Sequence, residues 1–142
     1  MPTQLSISDF FAGTLGAPLH NTIWSWGAVR PTDGVIFLRC WTDTIRRIGI
    51  DKQQMIEVQW PENEVRKSKP GWLERNEHLA RARAGSPAYA VMVTARNVNA
   101  NPREIDFYNA KEVFELGEII EIDGITYAQL KARLPTVKIR VI

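Results

Sequence analysis

This sequence has few of the residues that build disulfides and metal centres, and each shortage excludes something. Cys40 is the only cysteine, so no internal disulfide can form. The two histidines, His20 and His78, stand far apart and away from Cys40, which rules out an ordinary four-ligand zinc site. No apolar run approaches the roughly 18 residues of a membrane span, and the N-terminus lacks the basic and apolar regions of a secretory signal. The expected compartment is therefore the cytoplasm. Basic and acidic side chains nearly cancel, 18 against 16, so overall charge does not point to nucleic acid and any basic patch must be local. No Gly-rich phosphate loop, nucleophile elbow or paired-carboxylate motif is present, and no cofactor is expected.

What is present suits one ordered domain. The 142 residues can enclose a core of their own, and 44% of them are hydrophobic. Helix-like and strand-like patterns interleave, which predicts an α+β fold over residues 1–142 with a mixed, mostly antiparallel, curled sheet and short flanking helices. Ser6 and Asp9 predict a capped helix start in "SISDFFAG". "TIWSWGAV" and "VIFLRCW" flank "RPTDG", which predicts a hairpin pairing Arg30 with Val35, Val29 with Ile36, Trp26 with Arg39 and Trp24 with Trp41. One face would then carry Ile23, Ser25, Gly27, Val29, Ile36, Leu38 and Cys40. The other would carry Trp24, Trp26, Ala28, Phe37, Arg39 and Trp41.

Further along, "TDTIRRIGI" suggests a helical turn and "MIEVQW" a strand. "PENEVRKSKPG" reads as a mobile surface loop bearing Arg66, Lys67 and Lys69. "WLERNEHLARARAG" predicts a helix with Leu73, Leu79, Ala80 and Ala84 inward and the pairs Glu74/His78 and Glu77/Arg81 outward. "AYAVMVTARN" predicts a central strand covered on both faces. Asn109 to Gly117 reads as a short capped helix, "EIIEIDGITY" as a hairpin turning at Asp123-Gly124, "TYAQLKARLP" alternatively as a helix opened by Thr126 and Gln129, and "VKIRV" as a closing strand.

"IWSWGAV", "VIFLRCW", "KPGWLER" and "AYAVMVTA", in that order, resemble the PUA-like superfamily of EVE, YTH and ASCH-type domains, and small bacterial accessory or defence-associated proteins. The resemblance implies a curled, barrel-like sheet whose cleft receives RNA or a modified base. The ASCH pattern Gly-x-Lys-x-x-Glu-x-Arg is altered here, because Glu74 and Arg75 are adjacent and the lysine precedes the glycine.

Three indoles with one guanidinium suit either a second core beneath a helix or an open pocket for a planar group. Arg39, in an apolar strand, requires a partner: a carboxylate in a structural ion pair, which is the commonest case, an aromatic face, or a bound anion. Trp24, Trp26 and Trp41 are the candidate stacking residues, and Arg39 the candidate for orienting a base or phosphate. Arg66, Lys67, Lys69 and Arg75 are the candidates for following a nucleic-acid backbone, RNA or DNA. Two other classes compete. One is a protein-interaction subunit, a homodimer included, using the aromatic face. The other is a metal-dependent nuclease built on Asp33 and Glu57, with Gln59 where a lysine would be wanted. His78 reads as a solvated helix contact and Cys40 as a buried, inert thiol.

Overall fold

Alternation along "VIFLRCW" settles the architecture, because both of its faces are apolar and both must be covered. The computed structural model describes residues 4–139. In chain order it contains α1 (Ile7–Asp9), continued by a π turn over Phe10–Thr14, then β1 (Gly27–Val29), β2 (Ile36–Trp41), a 3₁₀ turn, β3 (Ile45–Ile48) and β4 (Gln53–Gln59). Next come α2 (Glu64–Lys67), α3 (Pro70–Arg83), β5 (Ala88–Ala95), β6 (Ile105–Tyr108), β7 (Glu112–Ile122) and β8 (Ile125–Pro135), followed by a 3₁₀ turn over Thr136–Lys138. Among the described residues no helix is long and apolar enough to cross a membrane.

The eight strands form one mixed sheet in the order β1-β2-β5-β7-β8-β4-β3, with β6 added to β5. β2 and β5 run parallel, pairing Ile36 with Ala88 through Trp41 with Val93, while the other pairs are antiparallel. The sheet bends until β4 comes back against β2, although no backbone ladder joins them, so it is not closed into a barrel.

One core is built from Ile36, Leu38 and Cys40 of β2 with Ile56, Val58, Met92, Ala128 and Leu79 of α3. The opposite face of β2 and β5 presents Phe37, Val91 and Val93 to Phe10, Phe11, Leu15 and Leu19 of the N-terminal segment. Each such large apolar side chain contributes roughly 1.5–3 kcal/mol by leaving water. That segment covers only the first half of the face. Beyond Phe37 the same face continues as Arg39 and Trp41, both half-buried, with Trp41 still packed against the edge of this core.

Several expected features are present. Ser6 Oγ accepts from the Asp9 N–H at 3.2 Å. The hairpin has the expected register, Val29 opposite Ile36 and Gly27 opposite Leu38, with the Arg39 N–H donating to the Trp26 carbonyl at 2.8 Å. β5 is central and largely buried. Asp123 and Gly124 both take positive φ, 53° and 83°, as a two-residue turn between twisted strands requires.

Others are corrected. The strand begins only at Gly27, so Trp24 sits in a preceding turn and does not pair with Trp41; the Asn21 side chain takes the N–H groups of Ile23 and Trp24 and bends the chain away. Ile23, expected in a core, is 90% exposed. The loop after Pro61 contains α2, capped by Asn63. After the turn at Thr42–Thr44, "IRRI" is a strand. Residues 112–117 and 126–135 are strands and 109–111 a bend leading into β7, with no helix in either segment, because β7 and β8 pair with each other along most of their length and β7 also pairs with β5. Val137 and Lys138 lie in a 3₁₀ turn, and the end of "VKIRV" falls outside the described residues. α3 buries Trp72, Arg75, His78 and Leu79, whereas Leu73, Ala80 and Ala84 are exposed.

Candidate functional site

The segment "KPGWLER" clamps three strand ends together and so makes the site. Pro70 occupies the first turn of α3, where its missing N–H costs nothing. Gly71 follows because nothing larger fits: a Cβ there would lie 2.7 Å from the Trp24 carbonyl oxygen and 2.7 Å from the Trp26 indole nitrogen. Trp72 donates its indole N–H to the Trp60 carbonyl at 3.2 Å. Gln59 returns the contact, its amide nitrogen reaching the Trp72 carbonyl at 2.9 Å and Asn76 Oδ1 at 2.8 Å. Gln59 is thereby committed to holding α3.

Arg75 completes the clamp. Its side chain is 2% exposed, and it donates to the backbone carbonyls of Val58, Trp26 and Arg39, bridging β4 to β2 where the ladder is missing. Burial pushes its pKa down. Its guanidinium also lies 5.9 Å from the Trp26 ring centroid.

Above this clamp opens a cleft of about 430 Å³, walled by Trp26, Trp41 and Trp60 with Arg39 and Lys69 among its lining. Trp26 and Trp60 meet edge to face, centroids 6.0 Å apart. The Arg39 side chain has no hydrogen-bond or ion-pair partner among the described residues. Burial lowers its pKa to about 10, with Arg75 adding to the effect and Glu74 opposing it, so it remains a cation at neutral pH. The commonest expectation for it, a structural ion pair, is not met.

A second lobe of about 450 Å³ shares Trp41, Trp60, Asn101 and Arg103 with the first and adds Asp43, Arg46, Glu57 and Arg66. Between the lobes Arg103 stacks 5.2 Å from the Trp41 centroid and holds Asp43 through both carboxylate oxygens, at 2.8 and 2.9 Å.

The structure thus gathers Trp26, Arg39, Trp41, Lys69, Arg75 and, in the second lobe, Arg66. It does not bring in Trp24, which lines a separate groove beside His20, Glu74 and His78. Lys67 lines neither lobe and lies 3.8 Å from Glu64. Arg75 is buried with its Nη donors spent on carbonyls, so it positions the site and is not free to follow a backbone. Trp60 and Arg103 were not among the candidates. The strand-ending aromatic of "QWPENE" signalled the first, whereas nothing local marked the second, which a loop delivers from beyond β5.

His78 is not a solvated contact: it is buried, and burial with Arg75 and Arg81 lowers its pKa to about 4. Glu74 instead accepts from Ser25 Oγ at 3.1 Å. Cys40 is buried and its thiol is pushed up to about 11 by burial. Asp33 and Glu57 do not form a metal pair. Arg30 takes Asp33 in the hairpin turn at 2.9 Å, and Glu57 on β4 lies 3.6 Å from Arg46. Among the described residues no three His, Cys, Asp or Glu side chains cluster to hold an ion. Compared with protein-family models, curated proteins and solved structures, the chain matches none.

Proposed function

We propose that this chain is a non-enzymatic nucleic-acid-binding module of PUA-like type, taking a single-stranded or extruded base, plain or modified, into the cleft of Trp26, Trp41 and Trp60. The observation that carries the reading is Arg39, a cation lining a cleft with three indoles and without a side-chain partner among the described residues. Its guanidinium is half-buried and left to solvent, and a ligand that displaces this water must supply acceptors in its place. The cleft volume lies within the range of small-ligand sites. Indole faces stack bases of any kind, and Lys69 and Arg66 stand where adjoining phosphates would pass.

The protein-interaction reading has less support. The hairpin tryptophans do not form one flat apolar surface, since Trp24 faces a different groove and Trp26 is packed under α3. The nuclease reading lacks its carboxylate pair.

Titration of labelled single-stranded oligonucleotides, plain and base-modified, at several salt concentrations tests the proposal. Micromolar or tighter binding that weakens with salt is expected. No binding near physiological salt with tens of micromolar protein overturns it.

A further inference from the structure

Donors and acceptors around the first lobe are unbalanced. Its lining includes Arg39, Lys69, Arg75 and Arg103 and contains no carboxylate. Two of these cations are already engaged, Arg75 by three carbonyls and Arg103 by Asp43 and the Val98 carbonyl. Lys69 is exposed at the rim. What remains is the buried Nε of Arg75, which has no partner among the described residues, and the whole of the Arg39 side chain: five N–H groups in a planar fork, accepting nothing, with no acceptor supplied by the described residues. A ligand that displaces water from the Arg39 fork must bring acceptors in its place, and two adjacent ones satisfy the fork best.

We infer, resting on the nucleic-acid reading above, that the base received here is guanine, held through its O6 and N7 by the Arg39 fork. Guanine presents those two acceptors side by side, the arrangement a guanidinium meets bidentately. Adenine places an amino group where O6 would be and sets donor against donor. Cytosine has an acceptor pair, O2 and N3, on a single ring that covers less of the three indole walls. A phosphate would also accept from Arg39, but it is tetrahedral and fully charged, and flat apolar walls suit a planar ring.

The test is a competition series on the wild-type protein, using one thymidine host strand with a single variable base: guanine, hypoxanthine, 7-deazaguanine, adenine or cytosine. Hypoxanthine keeps O6 and N7 and is expected to bind within about twofold of guanine. Adenine, cytosine and 7-deazaguanine, which lacks N7, are expected to bind roughly tenfold to a hundredfold more weakly. Arg39→Lys, which keeps the charge and loses the fork, is expected to level the series. Equal affinity for all five bases, or 7-deazaguanine bound as tightly as guanine, overturns the inference. So does competition by ribose 5-phosphate as strong as that by guanosine 5′-monophosphate, which would place a phosphate on Arg39. In each of those outcomes strands still bind, so the nucleic-acid reading stands while the guanine assignment falls. Failure of every strand to bind removes both.

Discussion

Nη2 of Arg75 donates to the backbone carbonyl of Arg39 at 2.9 Å, so one arginine holds the main chain of another whose own guanidinium holds no group among the described residues. Arg75 serves the fold and Arg39 faces the cleft.

Their substitutions should therefore diverge. Arg75→Met removes the side-chain donors to the carbonyls of Val58, Trp26 and Arg39, of which Trp26 keeps the Arg39 N–H, and the expected loss is about 2–4 kcal/mol. Arg39→Gln removes a desolvated cation that lies beside another. The expected stability change is between zero and a gain of about 1 kcal/mol, with ligand binding reduced. Urea denaturation of both variants measures the contrast, and equal destabilisation by the two would contradict it.

Gly71→Ala should disturb the cleft from behind its Trp26 wall. The added methyl meets the Trp24 carbonyl and the Trp26 ring at 2.7 Å, and the backbone atom cannot swing aside. Overpacking of this kind costs about 1–3 kcal/mol. A shifted tryptophan emission spectrum together with a lowered denaturation midpoint is the expected signature.

His78 makes stability depend on pH in a defined window. Its folded pKa of about 4 lies below the ordinary 6.5. Above 6.5 the imidazole is neutral in both states, and below 4 it is charged in both. Between them only the unfolded chain takes the proton, so native stability falls as pH drops from 6.5 to 4, by up to about 3 kcal/mol. Glu74, whose carboxyl burial raises, titrates in the opposite sense and offsets part of this loss. Denaturation of wild type and His78→Gln across that range should show a flatter curve for the variant.

Stacking and charge should separate by residue. Trp41→Ala is expected to weaken oligonucleotide binding by about 1–3 kcal/mol with little change in salt slope, whereas Trp24→Ala, outside the cleft, leaves affinity unchanged. Lys69→Ala should lower the slope by about 0.7, the value for one single-strand phosphate contact, and Lys67→Ala should not. Anisotropy titrations at four salt concentrations resolve the two effects.

Much of the sheet was legible in local chemistry. Pro31 and Gly34 set the hairpin loop and with it the partners of Ala28 and Val29. Asp123-Gly124 set a turn, and the apolar run from Ala88 announced a strand covered on both faces. The two misread helices show where local chemistry misleads. Asn109 Oδ1 does accept from the N–H groups of Lys111 and Glu112, the bond pattern of a helix cap, yet the chain then enters β7. Asx turns and helix caps share that bond, and the choice between them fell to pairing with a strand downstream.

The sequence by itself determined the hairpin register and the face on which Arg39 and Trp41 lie. Each of these follows from hydrogen bonds and alternation within a few residues. Only the tertiary structure decided that Arg39 has no side-chain partner among the described residues, that Trp60 and Arg103 join Trp41, and that Trp24 does not. Those outcomes depend on β2 lying parallel to β5, on β4 folding back against β2, and on Arg75 binding across the gap. The residues involved lie tens of positions apart in the chain, so no local preference carries a signal of their meeting.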